Sequence, residues 1–250
     1  MVTQKTITQD QYDEKYYMDC MGAPDYIHNP ETQQFFGVIA DAVVNIYNPK
    51  TILDAGCACG HLVAALRERG VAAYGVDFSE YAISQARKDI RPYCKARSLA
   101  EDIPGEFPKK YDMIFCIEVL EHMTDQDGRE AIARLTRLSD TILFSSTPFD
   151  EVEETHININ PMWYWATIFS EHGFGLDMRG SCNLFNRQSM LFRRGMDYAA
   201  VINAALENKA SQQNAFRKLE DLYKDKCEQA RGLFEIIKNN HAVHISEVKK

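Results

Sequence analysis

The chain is patterned as short apolar segments alternating with amphipathic stretches. Residues 31–46 place Phe35, Phe36, Ile39, Val43 and Ile46 at helical spacing, and Asn48-Pro49 ends that helix. Thr51 to Asp54 reads as a short, mostly apolar strand that runs at once into Gly56 and Gly60. His61 to Arg69 predicts a helix stopped by Gly70. Val71 to Val76 predicts the next strand, ending at Asp77, and Ser79 has the chemistry to cap a helix over Glu80 to Lys88. Further strands are expected at Tyr93 to Ala96, Tyr111 to Ile117 and Thr141 to Ser145. Helices are expected near Glu118 and over Glu130 to Leu138. A helix over Trp163 to Ser170, a break at Gly173 and strand-like runs at Phe174 to Met178 and Met190 to Arg193 complete this part.

Strands that alternate with helices form a βαβ series, so the fold class is α/β with a mostly parallel sheet. Residues 1–30 are polar and aromatic, with Tyr12, Tyr16, Tyr17 and Tyr26, and read as an N-terminal arm covering the active site. Residues 31–195 carry the α/β domain. Residues 196–250 read as a helical extension, with helices at about 197–209 and 212–239. Phe216, Leu219, Tyr223, Cys227, Leu233, Phe234 and Ile237 line one face there. That face can pack on the domain, cover the pocket as a lid, or pair two copies as a homodimer.

Composition narrows the partners. The 250 residues suit one domain, with or without an appendage. A net charge of -8 argues against a nucleic-acid partner, because phosphate contacts need Lys and Arg. No run of 18 apolar residues exists, so no membrane span is expected. Met1 to Lys5 opens without an apolar secretory core, and the seven cysteines form no paired CxxC motifs. The expectation is reduced thiols in a cytoplasmic protein.

The segment Ile52-Leu53-Asp54-Ala55-Gly56-Cys57-Ala58-Cys59-Gly60 is a strand, a tight turn and the start of a helix. Glycines there let the backbone approach a ligand closely. Asp77 ends the second strand, where a carboxylate can accept two ribose hydroxyls. These features indicate a nucleoside cofactor. The glycines are spaced Gly56-x-x-x-Gly60, which disfavours the GxGxxG loop of an NAD-dependent enzyme. Asp54 beside the turn suits a positively charged amino-acid tail better than a pyrophosphate.

This segment resembles the DxGxGxG signature of class I S-adenosylmethionine-dependent methyltransferases, with Ala58 in place of the middle glycine. The resemblance covers about residues 50–194. It includes Val76-Asp77-Phe78-Ser79, Ser98-Leu99-Ala100-Glu101-Asp102-Ile103-Pro104 and Tyr111-Asp112-Met113-Ile114-Phe115. It implies a Rossmann-like, mostly parallel seven-stranded sheet flanked by helices, and S-adenosylmethionine as cofactor. Asp54, Gly56, Cys57 and Gly60 would then form the cradle. Asp77 would hold the ribose and Phe78 would pack on the adenine. Leu99 and Ala100 would meet the adenine through backbone, since this chain lacks the acid that many relatives carry at Leu99. Ile117 would sit at the cofactor-facing end of the fourth strand.

Glu118, Glu121 and His122 form an E-x-x-E-H pattern, and on a helix these positions share one face. His156 follows the next strand and reaches the same sheet edge. Such a set can bind a divalent cation or relay protons. The pattern is similar to that of small-RNA 2'-O-methyltransferases and ubiquinone-pathway O-methyltransferases. That resemblance implies Glu118, Glu121, His122 and His156 as ligands, with Mg²⁺, Mn²⁺, Fe²⁺ and Zn²⁺ all open. It also marks His122, His156 and Glu118 as catalytic candidates, with or without a metal.

Methyl transfer to a hydroxyl needs a positioned acceptor and a base or Lewis acid. Tyr16, Tyr17, Tyr26, His28, Trp163, Tyr164 and Trp165 are expected to wall the acceptor pocket. The reading is transfer to a hydroxyl of a small molecule, such as a sugar, a nucleotide-linked sugar or a natural-product intermediate. A metal-independent N- or O-methyltransferase with a histidine base, an RNA 2'-O-methyltransferase and a non-catalytic cofactor-binding partner are the alternatives.

Overall fold

A computed structural model describes residues 7–19, 25–149, 153–178, 184–196 and 217–218. The chain divides into two units, Met1–Val201 and Ile202–Lys250. The expected C-terminal helices lie outside the described residues, apart from the exposed pair Arg217 and Lys218.

The first unit runs α1 (Glu14–Asp19), α2 (Pro30–Tyr47), β1 (Thr51–Ala55), α3 (His61–Glu68), β2 (Ala72–Asp77) and α4 (Glu80–Gln85). It continues with β3 (Cys94–Ala96), β4 (Met113–Ile117), α5 (Asp125–Leu138), β5 (Thr141–Ser145), α6 (Met162–Glu171), β6 (Phe174–Leu176) and β7 (Met190–Arg194). The seven strands lie in the order β3-β2-β1-β4-β5-β7-β6. The five strands from β1 to β5 pair in parallel, and β7 runs antiparallel to both β5 and β6. This is the Rossmann-like class I methyltransferase sheet. Chain order reverses between β1 and β4, so a crevice opens at their C-terminal ends.

Both sheet faces are covered, which is why the strands read as nearly continuous apolar runs. Leu53, Ile114, Cys116, Ile142 and Phe144 point to one face and pack with α5 and α6. Ile52, Met113, Phe115 and Leu143 point to the other, against α2 and α3. Successive residues of one strand thus serve two cores.

Local chemistry sets the element ends. Asn29 caps α2 by accepting from Glu31 N at 2.9 Å, with Pro30 in the first turn, so the helix begins one residue earlier than expected. The helix expected from Glu130 begins at Asp125, where Thr124 accepts from Asp127 N. Gly128 masked that start by its low propensity. In the fold a Cβ at that position would make ordinary contacts, 3.4 Å to Asn158 Nδ2 and 3.8 Å to Trp165. The helix from Glu80 ends at Gln85, short of Lys88, and Arg91 bonds the Ser84 and Ala86 carbonyls beyond it. Among the described residues no helix is long and apolar enough to cross a membrane.

Phe169 is fully buried on α6 and stacks on Phe192 of β7 at 4.0 Å, well away from the crevice. Phe169→Ala should cost about 3–5 kcal/mol in urea denaturation. The folded variant should bind cofactor with unchanged affinity by calorimetry. A weakened affinity would mean that the core and the crevice are not independent.

Candidate active site

The turn after β1 is built by two glycines and one carboxylate. Gly56 has φ 99° and donates to Val76 O at 2.8 Å; a Cβ there would meet Val119 Cγ2 at 2.2 Å. Gly60, at φ 77°, opens α3 and donates to Cys57 O at 2.8 Å. Ala58 takes φ 47° where the signature has glycine. A left-handed alanine costs about 1–2 kcal/mol. Its amide donates to Asp77 Oδ2 at 2.7 Å, a bond to a charged group worth about 1.5–3 kcal/mol, which offsets the strain. Asp77 Oδ1 accepts from Ser79 N at 2.8 Å. One carboxylate therefore ties the end of β2 to the turn after β1 and to the cap of α4.

Asp54 and Asp77 face the same cavity, about 690 Å³ in volume. Burial first, and the Asp77 charge second, push the Asp54 carboxyl up to about 7. Burial also raises Asp77, against the pull of the Ser79 and Ala58 amides. Among the described residues, Arg97 is the one Arg or Lys in the lining, and its guanidinium lies 2.7 Å from Glu101. A buried carboxylate, Asp54, and a half-buried one, Asp77, with no cation of their own fit a cationic nucleoside such as S-adenosylmethionine. Phe78, Ser98, Leu99 and Ile117 line the same cavity.

The aromatic arm contributes to the cavity wall. Tyr12, Tyr16 and Tyr17 are buried, and Tyr26 lines the cavity beside them. Ser79 Oγ donates to Tyr12 O at 2.8 Å, and His61 Nε2 donates to Tyr26 O at 3.1 Å. Burial raises the hydroxyl pKa of all four, so they serve as neutral donors.

The E-x-x-E-H segment differs from expectation. Glu118 still pairs with β5 through its amide to Ser145 O at 3.1 Å, then turns at φ 52°. Leu120–His122 is one 3-10 turn rather than an α-helix. The three side chains consequently do not share a helical face. Glu118 Oε1 accepts from Ser145 Oγ at 2.6 Å and Asn186 Nδ2 at 2.8 Å. Candidate ligand atoms of Glu121, His122 and His156 instead lie within 4.8 Å of one another, and Glu118 is not in that group. Glu121 is fully buried, and its Oε2 meets no hydrogen-bond donor among the described residues. Burial, then the Glu118 carboxylate, push its pKa well above the usual range. Burial, then His156, hold His122 down to about 4, so the ring is neutral at neutral pH.

Several expected wall residues lie elsewhere. Trp165 is fully buried in the core under α6, and Trp163, two positions away on the helix, is turned to solvent at 69% exposure. Tyr164 bonds Arg129 and Asp125. His28 is exposed beside Asp25 at 2.9 Å. None of these four lines the cavity, and neither do Gly60 and Ala100, which shape its turns. The cavity is also lined by Tyr12 of the expected arm, and it adds residues that the pattern does not single out: Glu153, Asn186 and Phe185. A run of hydrogen-bonding types, Glu153-Glu154-Thr155-His156, after a core strand was the available signal.

Comparison with known proteins agrees with this geometry. A family model described as a methyltransferase domain matches residues 53–139. The ubiquinone biosynthesis O-methyltransferase of Nitrosomonas europaea is 28% identical over 147 residues, covering 56% of this chain and 58% of that protein. Its namesake from Pseudomonas paraeruginosa is 32% identical over 143 residues, covering 53% and 55%. The chain thus spans little more than half the length of these curated relatives. Among solved structures, magnesium protoporphyrin IX methyltransferase from Synechocystis PCC 6803 with bound SAH shares the fold. Its TM-score is 0.50 at 22% identity, over 65% of this chain and 82% of that one. Residues 53–139 thus match a methyltransferase domain, and the sheet order is that of the Rossmann-like class I methyltransferase fold.

Proposed function

We propose that the chain transfers a methyl group from S-adenosylmethionine to a hydroxyl of a small, uncharged molecule, with His122 as the base. The observation that carries this reading is one cavity lined by the Asp54–Asp77 cradle, by the uncharged ring of His122, and also by His156 and the tyrosine arm. When bound, the cofactor supplies an already activated methyl group. The protein has to orient the acceptor, exclude water and take one proton. Asp54 and Asp77 hold the cationic cofactor, and the buried tyrosines exclude water. His122, uncharged in its buried site, takes the acceptor proton. The hydroxyl acceptor comes from likeness to relatives named as O-methyltransferases. A lining with five acids, Asp54, Asp77, Glu118, Asp127 and Glu153, against one tied Arg97 disfavours a nucleotide-linked sugar or RNA acceptor.

A second reading has a specific support. The partnerless Oε2 of Glu121, with His122 and His156 close by, is a mixed oxygen and nitrogen donor set that fits a divalent cation. Such an ion would acidify and orient the acceptor hydroxyl. Glu121→Gln separates the readings. The amide mimics a protonated carboxyl, so turnover by the histidine base should persist. If a metal is used, that variant and a chelated wild-type protein should both lose turnover, and Mn²⁺ should restore only the wild type.

The cradle makes two measurable claims. Asp77→Ala should weaken S-adenosylmethionine binding by about 2–3 kcal/mol in calorimetry, because a buried acceptor for the ribose is lost. Unchanged affinity would remove Asp77 from the cofactor site. Asp54 is charged only above about pH 7 in the free protein. A carboxylate with a raised pKa loses its charge as pH falls through that value. Cofactor affinity should therefore fall on the acid side of 7, by up to about tenfold per unit. Asp54→Asn should flatten that profile.

A further inference from the structure

Next to the cavity, the segment after β5 holds a hydrogen-bonded chain whose direction can be worked out from donors and acceptors. Thr155 Oγ donates to Glu153 Oε1 at 2.6 Å. Nδ1 of His122 lies 3.0 Å from the same Thr155 oxygen. The Tyr12 and Tyr16 hydroxyls also meet the Thr155 hydroxyl, but they can donate to it whereas a carboxylate only accepts, so the single Thr155 proton goes to Glu153. The contact with His122 must then run the other way: Nδ1–H donates and the Thr155 oxygen accepts. A neutral imidazole with its proton on Nδ1 has its lone pair on Nε2. Glu153 is held in turn by Tyr16 OH, 2.9 Å from Oε1, and by His156 Nε2, 3.3 Å from Oε2. The His156 ring lies 4.7 Å from that of His122. Thr155 is buried, His156 is 7% exposed at its side chain and Glu153 is half-buried at 23%, so water reaches the chain only at its carboxylate end.

We propose that Glu153 and Thr155 are positioning residues that fix His122 as its Nδ1–H tautomer and so present the Nε2 lone pair as its working atom. The logic is that of a triad in which a hydroxyl stands between the imidazole and the carboxylate. Tyr16 makes the arm part of this device, because it shares Oε1 of Glu153 with Thr155. The same atom is needed whether His122 takes a proton or holds an ion, since a ligating imidazole is oriented by what its other nitrogen donates to. Only the kinetic consequence rests on the proposed function; the tautomer itself is a property of the resting protein.

The test reads the ring directly. Long-range ¹H–¹⁵N correlation spectra of the ¹⁵N-labelled full chain at neutral pH distinguish the two neutral tautomers. His122 is identified by the signal lost in His122→Gln. The expected pattern is a protonated Nδ1 and a bare Nε2, and an Nε2–H pattern overturns the proposal. In Glu153→Ala the Thr155 hydroxyl is free to turn and donate to Nδ1, so His122 should shift towards Nε2–H. Thr155→Ser should keep the wild-type pattern. If Glu153→Ala does not fold, Thr155→Val removes the acceptor with little change of shape and should give the same shift. An unchanged tautomer in a folded variant overturns the role of the residue removed. With an acceptor in hand, Glu153→Ala should lower kcat by about 10–100-fold with KM for S-adenosylmethionine unchanged, and Thr155→Ser should stay near wild type. Expected spectra without any hydroxyl acceptor would leave the tautomer standing and sink the proposed function instead.

Discussion

The site depends on the half-buried Asp77 carboxylate at the C-terminal end of β2. Its two oxygens take the amides of Ala58 and Ser79. Those bonds fix the left-handed Ala58, and through it the glycine turn, and they fix the start of α4. A buried carboxylate is costly unless every oxygen is occupied. Here the backbone supplies one donor to each, and each oxygen keeps acceptor capacity for a ligand. Replacing the acid would loosen three elements at once, so its structural role is settled by the chain's own amides.

The rest of the site follows from topology. Parallel strands deliver their C-terminal ends to one edge, and the reversal between β1 and β4 leaves that edge open. The turn after β1, the acid ending β2 and the turn after β4 all arrive there by chain direction alone. The segment 153–157 after β5 completes the opposite wall, joined to the β4 turn where the Ile157 and Asn158 amides donate to Glu121 O. Chain direction thus makes neighbours of residues far apart in sequence, and the Glu121 carbonyl holds the last segment against them.

The alternation of strands and helices, and the acid on the second strand, were legible because local periodicity and the glycine turn carry them. Helix ends were less so, since Gly128 has poor helix propensity and sits in the first turn of α5. The reading of Glu118, Glu121 and His122 as one helical face failed because Glu118 is still bonded to β5 and must turn sharply. No local signal reports a pairing with a strand that lies later in the chain. The two tryptophans of α6 show a related limit: helical spacing puts them on different faces but does not say which face meets the sheet. Glu153, Thr155 and Asn186 look like ordinary polar loop residues, and only their convergence gives them meaning.

The tyrosine arm makes the completeness of the site conditional on its own placement. It walls the cavity, and its described polar ties include Ser79 to Tyr12 O, His61 to Tyr26 O and Tyr16 to Glu153. Any opening that carried Tyr16 away would take one donor from Glu153, so the hydrogen-bonded chain from Tyr16 to His122 is whole only with the arm in place.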